Sequence, residues 1–187
     1  MPSVKIGTQV WATENLNVDR FRNGDPIPQA KTEEEWQNAG NNQQPAWCNY
    51  NNDPKNGESY GKLYNWYAVN DRRVLAPDGW HIPTDAEWTQ LTDFLGGESI
   101  AGAKMKSTSG WDGNGNGTNT SGFKGLPGGD RSGNGTFNDV GGSGGWWSST
   151  EGSTGSAWSR GLLYSHGNVF RFNYYKQGGF SVRCLRD

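Results

Sequence analysis

The segment SRGLLYSHGNVFRFNYYKQGG, residues 159–179, carries the clearest strand pattern in the chain. Its aromatic residues Phe170, Phe172 and Tyr174 occupy every second position, and an extended strand sends alternate side chains to opposite faces. The pattern therefore predicts a row of three large rings on one face of a strand. We expect two strands here, at about 157–165 and 168–175.

Two capping boxes predict helices on either side of a long loop region. The tetrapeptides TEEE (32–35) and TDAE (84–87) each place Thr before the first helical residue and Glu three positions later. They begin helices near 33–39 and 85–95, and each run ends at glycine. We therefore expect an α+β fold with short antiparallel strands, two helices and long Gly- and Asn-rich loops.

The composition indicates an ordered chain rich in loops. Mean hydropathy is only −0.89, but ten Trp, seven Tyr and seven Phe among 187 residues argue against disorder, because disordered chains contain few aromatic residues. The glycine-rich region 110–145 contains anchors such as Trp111 and Phe123, so we expect ordered loops there. The aromatic-rich segment 60–69 is compatible with a strand or a helical turn. No linker or internal repeat divides the chain, and 1–187 is expected to form one domain.

Charge and hydropathy restrict the classes of partner. A net charge of −2 predicts no general attraction to nucleic acid or anionic lipid. No stretch approaches the ~20 apolar residues of a membrane span, so we expect no membrane insertion. No secretory signal opens the chain.

The residue types that carry catalysis are sparse. His81 and His166 are the only histidines, and neither has a nucleophile and a carboxylate beside it in sequence. Cys48 and Cys184 are interpreted as free buried thiols, with one long-range disulfide as the alternative. The loop 112–117, DGNGNG, resembles the first half of a calcium-binding EF-hand loop but lacks the final glutamate, so we expect no cofactor, with calcium as the alternative.

Several longer motifs resemble a known family. IGTQVWATENLNV, YGKLYNWYAVND, PDGWHIPTDAEWTQL, SGFKGLPGG, WWSST and GFSVRCLRD run in this order across nearly the whole chain. Together they resemble the Fibrobacter succinogenes major paralogous domain family. That resemblance implies a C-type lectin-like fold, in the branch that contains the formylglycine-generating enzymes.

The resemblance does not carry the enzyme's activity to this chain. Those enzymes use two neighbouring active-site cysteines with copper, and no second cysteine lies near Cys184 in sequence. The family often has a cysteine before its PxGWH motif, where this chain has Ala76. We therefore expect a protein that is not an enzyme.

The same branch resembles the variable proteins of diversity-generating retroelements, in which adenine mutagenesis rewrites a C-terminal segment. The family's C-terminal segment is rich in Asn, whereas this chain has residues there that an AAC codon reaches by changes at its adenines. The resemblance implies a variable ligand-binding region at 157–178. Its candidate residues, with Trp158 added from the same strand, are Trp158, Ser159, Gly161, Leu163, Ser165, His166, Phe170, Phe172, Tyr174 and Tyr175.

The alternation of the strands favours the same interpretation. In the first strand, the candidate residues Ser159, Gly161, Leu163 and Ser165 lie at alternate positions, and residues typical of the family's constant scaffold lie between them. In the second strand, Phe170, Phe172 and Tyr174 alternate in the same way with such scaffold residues. We expect the aromatic row to face outward, largely accessible to solvent, and Tyr175 to turn to the same side. The alternative is that the row belongs to the core.

The preferred function is therefore a non-enzymatic ligand-binding module with a diversified recognition face. Its partner would be a protein or carbohydrate ligand on a cell surface. We expect it on a phage virion, as in a tail fibre, or on the extracellular surface of a bacterium. The alternative is a surface or adhesin domain of fixed sequence that binds carbohydrate or has a structural role.

Overall fold

A computed structural model describes all 187 residues and shows a mixed α+β fold. Five α-helices and twelve mostly short strands are joined by long loops. The helices are α1 (Glu33–Asn41), α2 (Pro54–Tyr60), α3 (Trp66–Val69), α4 (Asp85–Phe94) and α5 (Glu98–Met105). The strands are β1 (Ser3–Ile6), β2 (Gln9–Ala12), β3 (Trp47–Cys48), β4 (Leu63–Asn65), β5 (Trp80–His81), β6 (Gly128–Arg131), β7 (Phe137–Val140), β8 (Ser143–Ser153), β9 (Ser156–Leu163), β10 (Phe170–Tyr175), β11 (Gly179–Phe180) and β12 (Leu185–Arg186).

The strands form two sheets. The smaller has the order β1-β2-β12-β5, and the larger has the order β10-β9-β8-β6-β11-β4-β3, with β7 paired to β6. All pairings between these strands are antiparallel except that of β6 with β8. Strand β10 is thus an edge strand, with β9 as its only neighbour in the sheet.

Both predicted capping boxes are formed. Thr32 accepts from the Glu35 N–H and Thr84 from the Glu87 N–H, while each Glu side chain accepts from the backbone N–H of its Thr. The predicted helices near 33–39 and 85–95 correspond to α1 and α4. These boxes satisfy donors that the first turn of a helix leaves unpaired.

The prediction of only two helices is wrong, because α2, α3 and α5 are also present. The undecided segment 60–69 contains both a strand, β4, and a helical turn, α3. The sequence pattern does not predict helix α5, because Gly102 within it lowers the helix propensity. That glycine is required by packing: a Cβ there would collide with the backbone carbonyl of Asn168.

Strand β8 separates the two main clusters of buried apolar residues. Trp146 packs in one cluster with Trp11, Trp88 and Phe123, whereas Trp147 packs in the other. Both indoles are fully buried. Because neighbouring residues of a strand point to opposite faces, the pair Trp146–Trp147 marks a strand that is covered on both sides.

The C-terminal segment 179–186 links the two sheets rather than forming one strand. Its first part, β11, pairs within the larger sheet, and its last part, β12, pairs with β2 and β5 in the smaller one. Between them, the Val182 and Cys184 side chains are buried in the cluster that contains Trp147. This segment brings Phe180 beneath the end of the hairpin formed by β9 and β10.

Candidate functional site

The predicted variable region is an antiparallel hairpin at the edge of the larger sheet. Phe170 pairs with Gly161 and Phe172 with Ser159 across β10 and β9. On the far side of β9, Gly161 pairs with Gly145 and Ser159 with Trp147 of β8. Side chains opposite one another on neighbouring strands share a face. The register therefore places the aromatic row on the same face as Trp147.

The aromatic row is less exposed than expected. Phe170, Phe172 and Tyr174 are partly buried, and the alternate residues of β10 are exposed. Tyr174 packs 4.9 Å from the Phe180 ring and Phe172 6.0 Å from it, centroid to centroid. The expectation of a largely solvent-accessible row is thus wrong, because Phe172 and Tyr174 pack against the buried apolar cluster that contains Trp147 and Phe180.

The row nevertheless extends beyond the core and forms one wall of an open groove of about 310 Å³. The floor contains glycines: a Cβ on Gly145 would come within 2.7 Å of the Phe180 ring, and a Cβ on Gly161 within 2.9 Å of the Phe172 ring. Glycine inside a strand often marks a place where another group approaches closely. The groove lining consists of Asp130, Asp139, Ser143, Gly144, Gly145, Gly161, Leu162, Leu163, Phe170, Phe172, Tyr174 and Phe180.

On the opposite face of the hairpin, ion pairs connect β9 and β10 to helix α4. Asp85, at the start of α4, accepts from the buried Arg160 at 2.7 Å and from Arg171 at 2.8 Å. Burial raises the pKa of Asp85, but the hydrogen bonds from Arg171 and Arg160 outweigh burial and keep that pKa below its ordinary value. The Arg171 guanidinium also stacks 3.5 Å from the centre of the Trp158 ring. This face therefore attaches the edge strand to α4.

The turn between the strands is held by Lys106. Its ammonium donates to the carbonyls of Leu163 at 3.1 Å and His166 at 2.9 Å. Burial lowers the pKa of Lys106. Ser165 and His166 are exposed on this turn, and the His166 ring meets the Phe170 ring edge-on at 5.6 Å.

Five of the ten residues of the predicted site lie outside the groove lining: Trp158, Ser159, Ser165, His166 and Tyr175. Trp158 is partly buried on the charged face under Arg171, and Tyr175 is exposed on that same face, so Tyr175 does not turn to the side of the row. Ser159 is fully buried, and its hydroxyl donates to the Phe172 carbonyl at 2.9 Å. Gly161 is also buried. Strand β9 lies between β10 and β8, and side chains from both neighbouring strands cover Ser159 and Gly161.

Sequence reasoning missed the groove residues that come from other strands. The local sequence pattern does not connect Phe180, Asp130 or Asp139 to this site. The signal that was available is the glycine pair Gly144–Gly145 within a strand, which indicates close backbone approach. The parallel pairing of β6 with β8, which brings Asp130 to the groove, has no local signature.

The other candidate residues lie elsewhere. Cys48 and Cys184 are buried free thiols in different apolar clusters, and burial raises their pKa values to about 11 and about 12. In the 112–117 loop, the Asn116 side-chain oxygen accepts from the Trp111 N–H. No group of three or more His, Cys, Asp or Glu side chains is placed to hold a metal ion.

None of the five helices combines the length and the apolar character that a membrane crossing demands.

No curated protein matches the chain. A family model described as Fibrobacter succinogenes major domain matches residues 4–186, which is nearly the whole sequence and includes both sheets and the groove. The chain therefore belongs to the Fibrobacter succinogenes major domain family.

Proposed function

We propose that this chain is a non-enzymatic ligand-binding module whose recognition site is the aromatic groove. The observation that carries the proposal is the row Phe170, Phe172 and Tyr174, which is partly exposed in an open groove inside the predicted variable region. Aromatic rings offer large contact area at low entropic cost, as they do in antibody loops. The ligand is a protein or carbohydrate on a cell surface, and the module acts on a phage virion or a bacterial surface.

The fold assignment within this proposal is C-type lectin-like, and it rests on the resemblance of the family to that branch. The family membership and the α+β architecture agree with it. We further propose that 157–178 is diversified by a retroelement. In support, the groove and the turn hold Leu163, Ser165, His166 and Phe170, whereas the neighbouring Val169 is buried in the core.

The state of the nucleophilic side chains supports a role without catalysis. Burial keeps both thiols protonated near neutral pH, which opposes nucleophilic chemistry. His81 is held between two carboxylates, Glu87 at 3.0 Å and Asp187 at 2.8 Å. Neither the two buried thiols nor His81 therefore places a nucleophile beside a base in the groove.

Tolerance to substitution tests the diversified face. Leu163→Asn, His166→Asn and Phe170→Asn should each cost no more than about 1 kcal/mol of unfolding free energy, because these side chains are exposed or partly exposed. The matched controls Leu162→Asn and Val169→Asn, fully buried on the same strands or beside them, should cost about 3 kcal/mol or more. Equal losses in the two sets, measured by urea unfolding, would contradict a variable face.

The gene provides an independent test of diversification. A reverse transcriptase gene nearby, with a near-repeat of the coding region for 157–187 that differs at adenines, is the expected arrangement. A genome that lacks both would reject retroelement diversification, although the groove would remain a candidate binding site of fixed sequence.

A second candidate function, carbohydrate binding at a fixed site, is favoured by a separate polar cavity. It measures about 570 Å³ and is lined by Asp25, Gln43, Trp66, Tyr67, Asn70, Asp71, Arg72 and Arg73. Amide, carboxylate and guanidinium groups can bond sugar hydroxyls, and Tyr67 supplies an aromatic surface. Glycan-array binding that is lost in Tyr67→Ala but retained in Phe170→Asn would favour this site over the groove.

A further inference from the structure

Two carboxylates complete the lining of the aromatic groove. Asp130 lies on β6 and Asp139 on β7, and both contribute to the same groove as Phe170 and Phe172. The two are close enough for the charge of Asp139 to raise the pKa of Asp130. The groove thus combines aromatic rings with two acidic groups.

Neither carboxylate has a cationic partner. Asp130 and Asp139 take part in none of the ion pairs of the protein, and no Lys, Arg or His lines the groove. Asp130 accepts one hydrogen bond, from the Asn138 amide at 3.1 Å. The adjacent Arg131 points away, and its guanidinium donates to backbone carbonyls such as that of Ala30 at 2.9 Å.

The environment of Asp130 disfavours its charge. Burial raises the pKa of this carboxyl, the hydrogen bond from Asn138 opposes that rise, and Asp139 adds to it. A cation placed in the groove would remove this penalty, since a nearby opposite charge favours the ionised form of a carboxyl group. Charge complementarity therefore points to a basic group as the occupant.

We infer that the groove binds a basic side chain, lysine or arginine, presented by a protein ligand. The aliphatic stem would lie along Phe170, Phe172 and Phe180, and the cation would meet Asp130 and Asp139. Long basic side chains bury their stems on apolar surfaces and keep the charged end in a polar environment, and cations are also attracted to aromatic faces. This inference rests on the proposed function of the groove and adds the chemical class of its ligand.

Two probes that differ only in the terminal ammonium of a shared four-carbon stem measure the contribution of that group. Nα-acetyl-lysine methylamide and Nα-acetyl-norleucine methylamide share their backbone and stem, and only the first carries an ammonium. Each would be titrated into isotope-labelled protein while the amide and aromatic resonances of Phe170, Phe172 and Tyr174 are followed by NMR. The lysine probe should bind about fivefold more tightly, as expected for a partly exposed charge pair, and less so as salt is added.

The variants assign that preference to the two carboxylates. Asp130→Asn/Asp139→Asn should abolish the fivefold preference, whereas the control Asp93→Asn, an exposed position on α4, should retain it. Asn keeps the shape of each side chain and tolerates the positive φ of 58° at position 139. Should the double variant unfold, Asp139→Asn alone, with its exposed side chain, should still weaken the preference.

Each other outcome rejects the inference in a distinct way. Equal binding of the two probes, or a preference that survives in the double variant, would leave the groove as a binding site but remove its selectivity for a cation. Stronger shifts of the groove resonances with N-acetylglucosamine would assign the groove to carbohydrate instead. If no probe shifts these resonances, the proposed function of this face fails together with the inference.

Discussion

The ring of Phe172 lies over Gly161, and a Cβ on that glycine would come within 2.9 Å of the Phe172 Cε1 atom. The backbone of Gly161 does not adopt a positive φ, so space rather than conformation requires glycine there. The two positions belong to adjacent strands of the hairpin. The size of one residue therefore limits the size of the other.

Gly161→Ala should lower the unfolding free energy by about 1–3 kcal/mol, because the added methyl group overpacks the groove floor. Phe172→Ala should cost about 2 kcal/mol, less than the ~3–5 kcal/mol of a fully buried ring. In the Phe172→Ala background, Gly161→Ala should be nearly neutral, and urea unfolding of the double-mutant cycle measures this coupling. The control Gly155→Ala, where a Cβ meets no atom within 4 Å, should be neutral in both backgrounds. Additive losses would show that the two residues do not compete for space.

Asp85→Asn should destabilise the protein by about 3 kcal/mol, because the guanidinium of Arg160 is buried and would lose its only carboxylate partner. The pKa of Asp85 is lowered in the folded state, so its contribution is present above the ordinary carboxyl pKa of about 4 and is lost as the pH falls through the lowered value. Urea unfolding between neutral and acid pH should therefore show a smaller acid loss in the variant. Asp93→Asn serves as the control, and an equal acid loss in Asp85→Asn and the wild type would contradict the assignment.

His81 joins the start of α4 to the C-terminus. Burial lowers the pKa of His81, but hydrogen bonds to Asp187 and Glu87 outweigh burial and raise that pKa above its ordinary value. The stabilisation is therefore complete below about pH 6.5 and is lost as the pH rises through the raised pKa of the folded state. The loss should be less than about 1 kcal/mol, because the pairs are partly exposed.

Urea unfolding at about pH 6 and about pH 9 should show this loss in the wild type and not in His81→Gln. The control His166→Gln, at an exposed imidazole that bonds Ser165, should retain it. If His81→Gln keeps the full pH dependence, another group is responsible.

The two thiols should be inert in the folded protein. Cys48 and Cys184 are fully buried, and burial raises both pKa values, so a disulfide-exchange reagent such as DTNB should react with them only after unfolding. Cys184→Ala should cost about 1 kcal/mol in stability and leave ligand binding intact in the folded fraction. Rapid labelling of either thiol in native buffer, or loss of binding by a folded Cys184→Ala protein, would contradict this interpretation.

The local parts of the fold were predictable from the sequence. A capping box, such as Thr84 with Glu87, acts within one helical turn, so the beginnings of α1 and α4 could be located. The alternation in 168–175 likewise identified β10. Helix α5 was not predicted, because the packing of Gly102 against the Asn168 carbonyl depends on a contact between distant segments.

Only the part of the candidate site that lies in the hairpin of β9 and β10 was predictable from the sequence. The parity of Phe170, Phe172 and Tyr174 could be predicted, but which face met the core depended on Phe180 and Trp147 from other strands. The register of β9 also buried Ser159 and Gly161, which an edge strand would have exposed. Asp130 and Asp139 reach the groove through the pairing of β6 with β7 and β8, and such pairing follows from the assembled sheet rather than from local pattern.

The ion pair of Arg171 with Asp85 and its stacking on Trp158 affect the conformational entropy that binding would cost. An edge strand with one neighbour would ordinarily fluctuate, and a ligand would have to order it. The attachment of Arg171 to Asp85 of α4 holds β10 in place, so a ligand at the proposed site would lose little conformational entropy on contacting this strand. Association with this surface should accordingly resemble docking to a rigid template, in which changes of the ring side chains alter the dissociation rate more than the association rate.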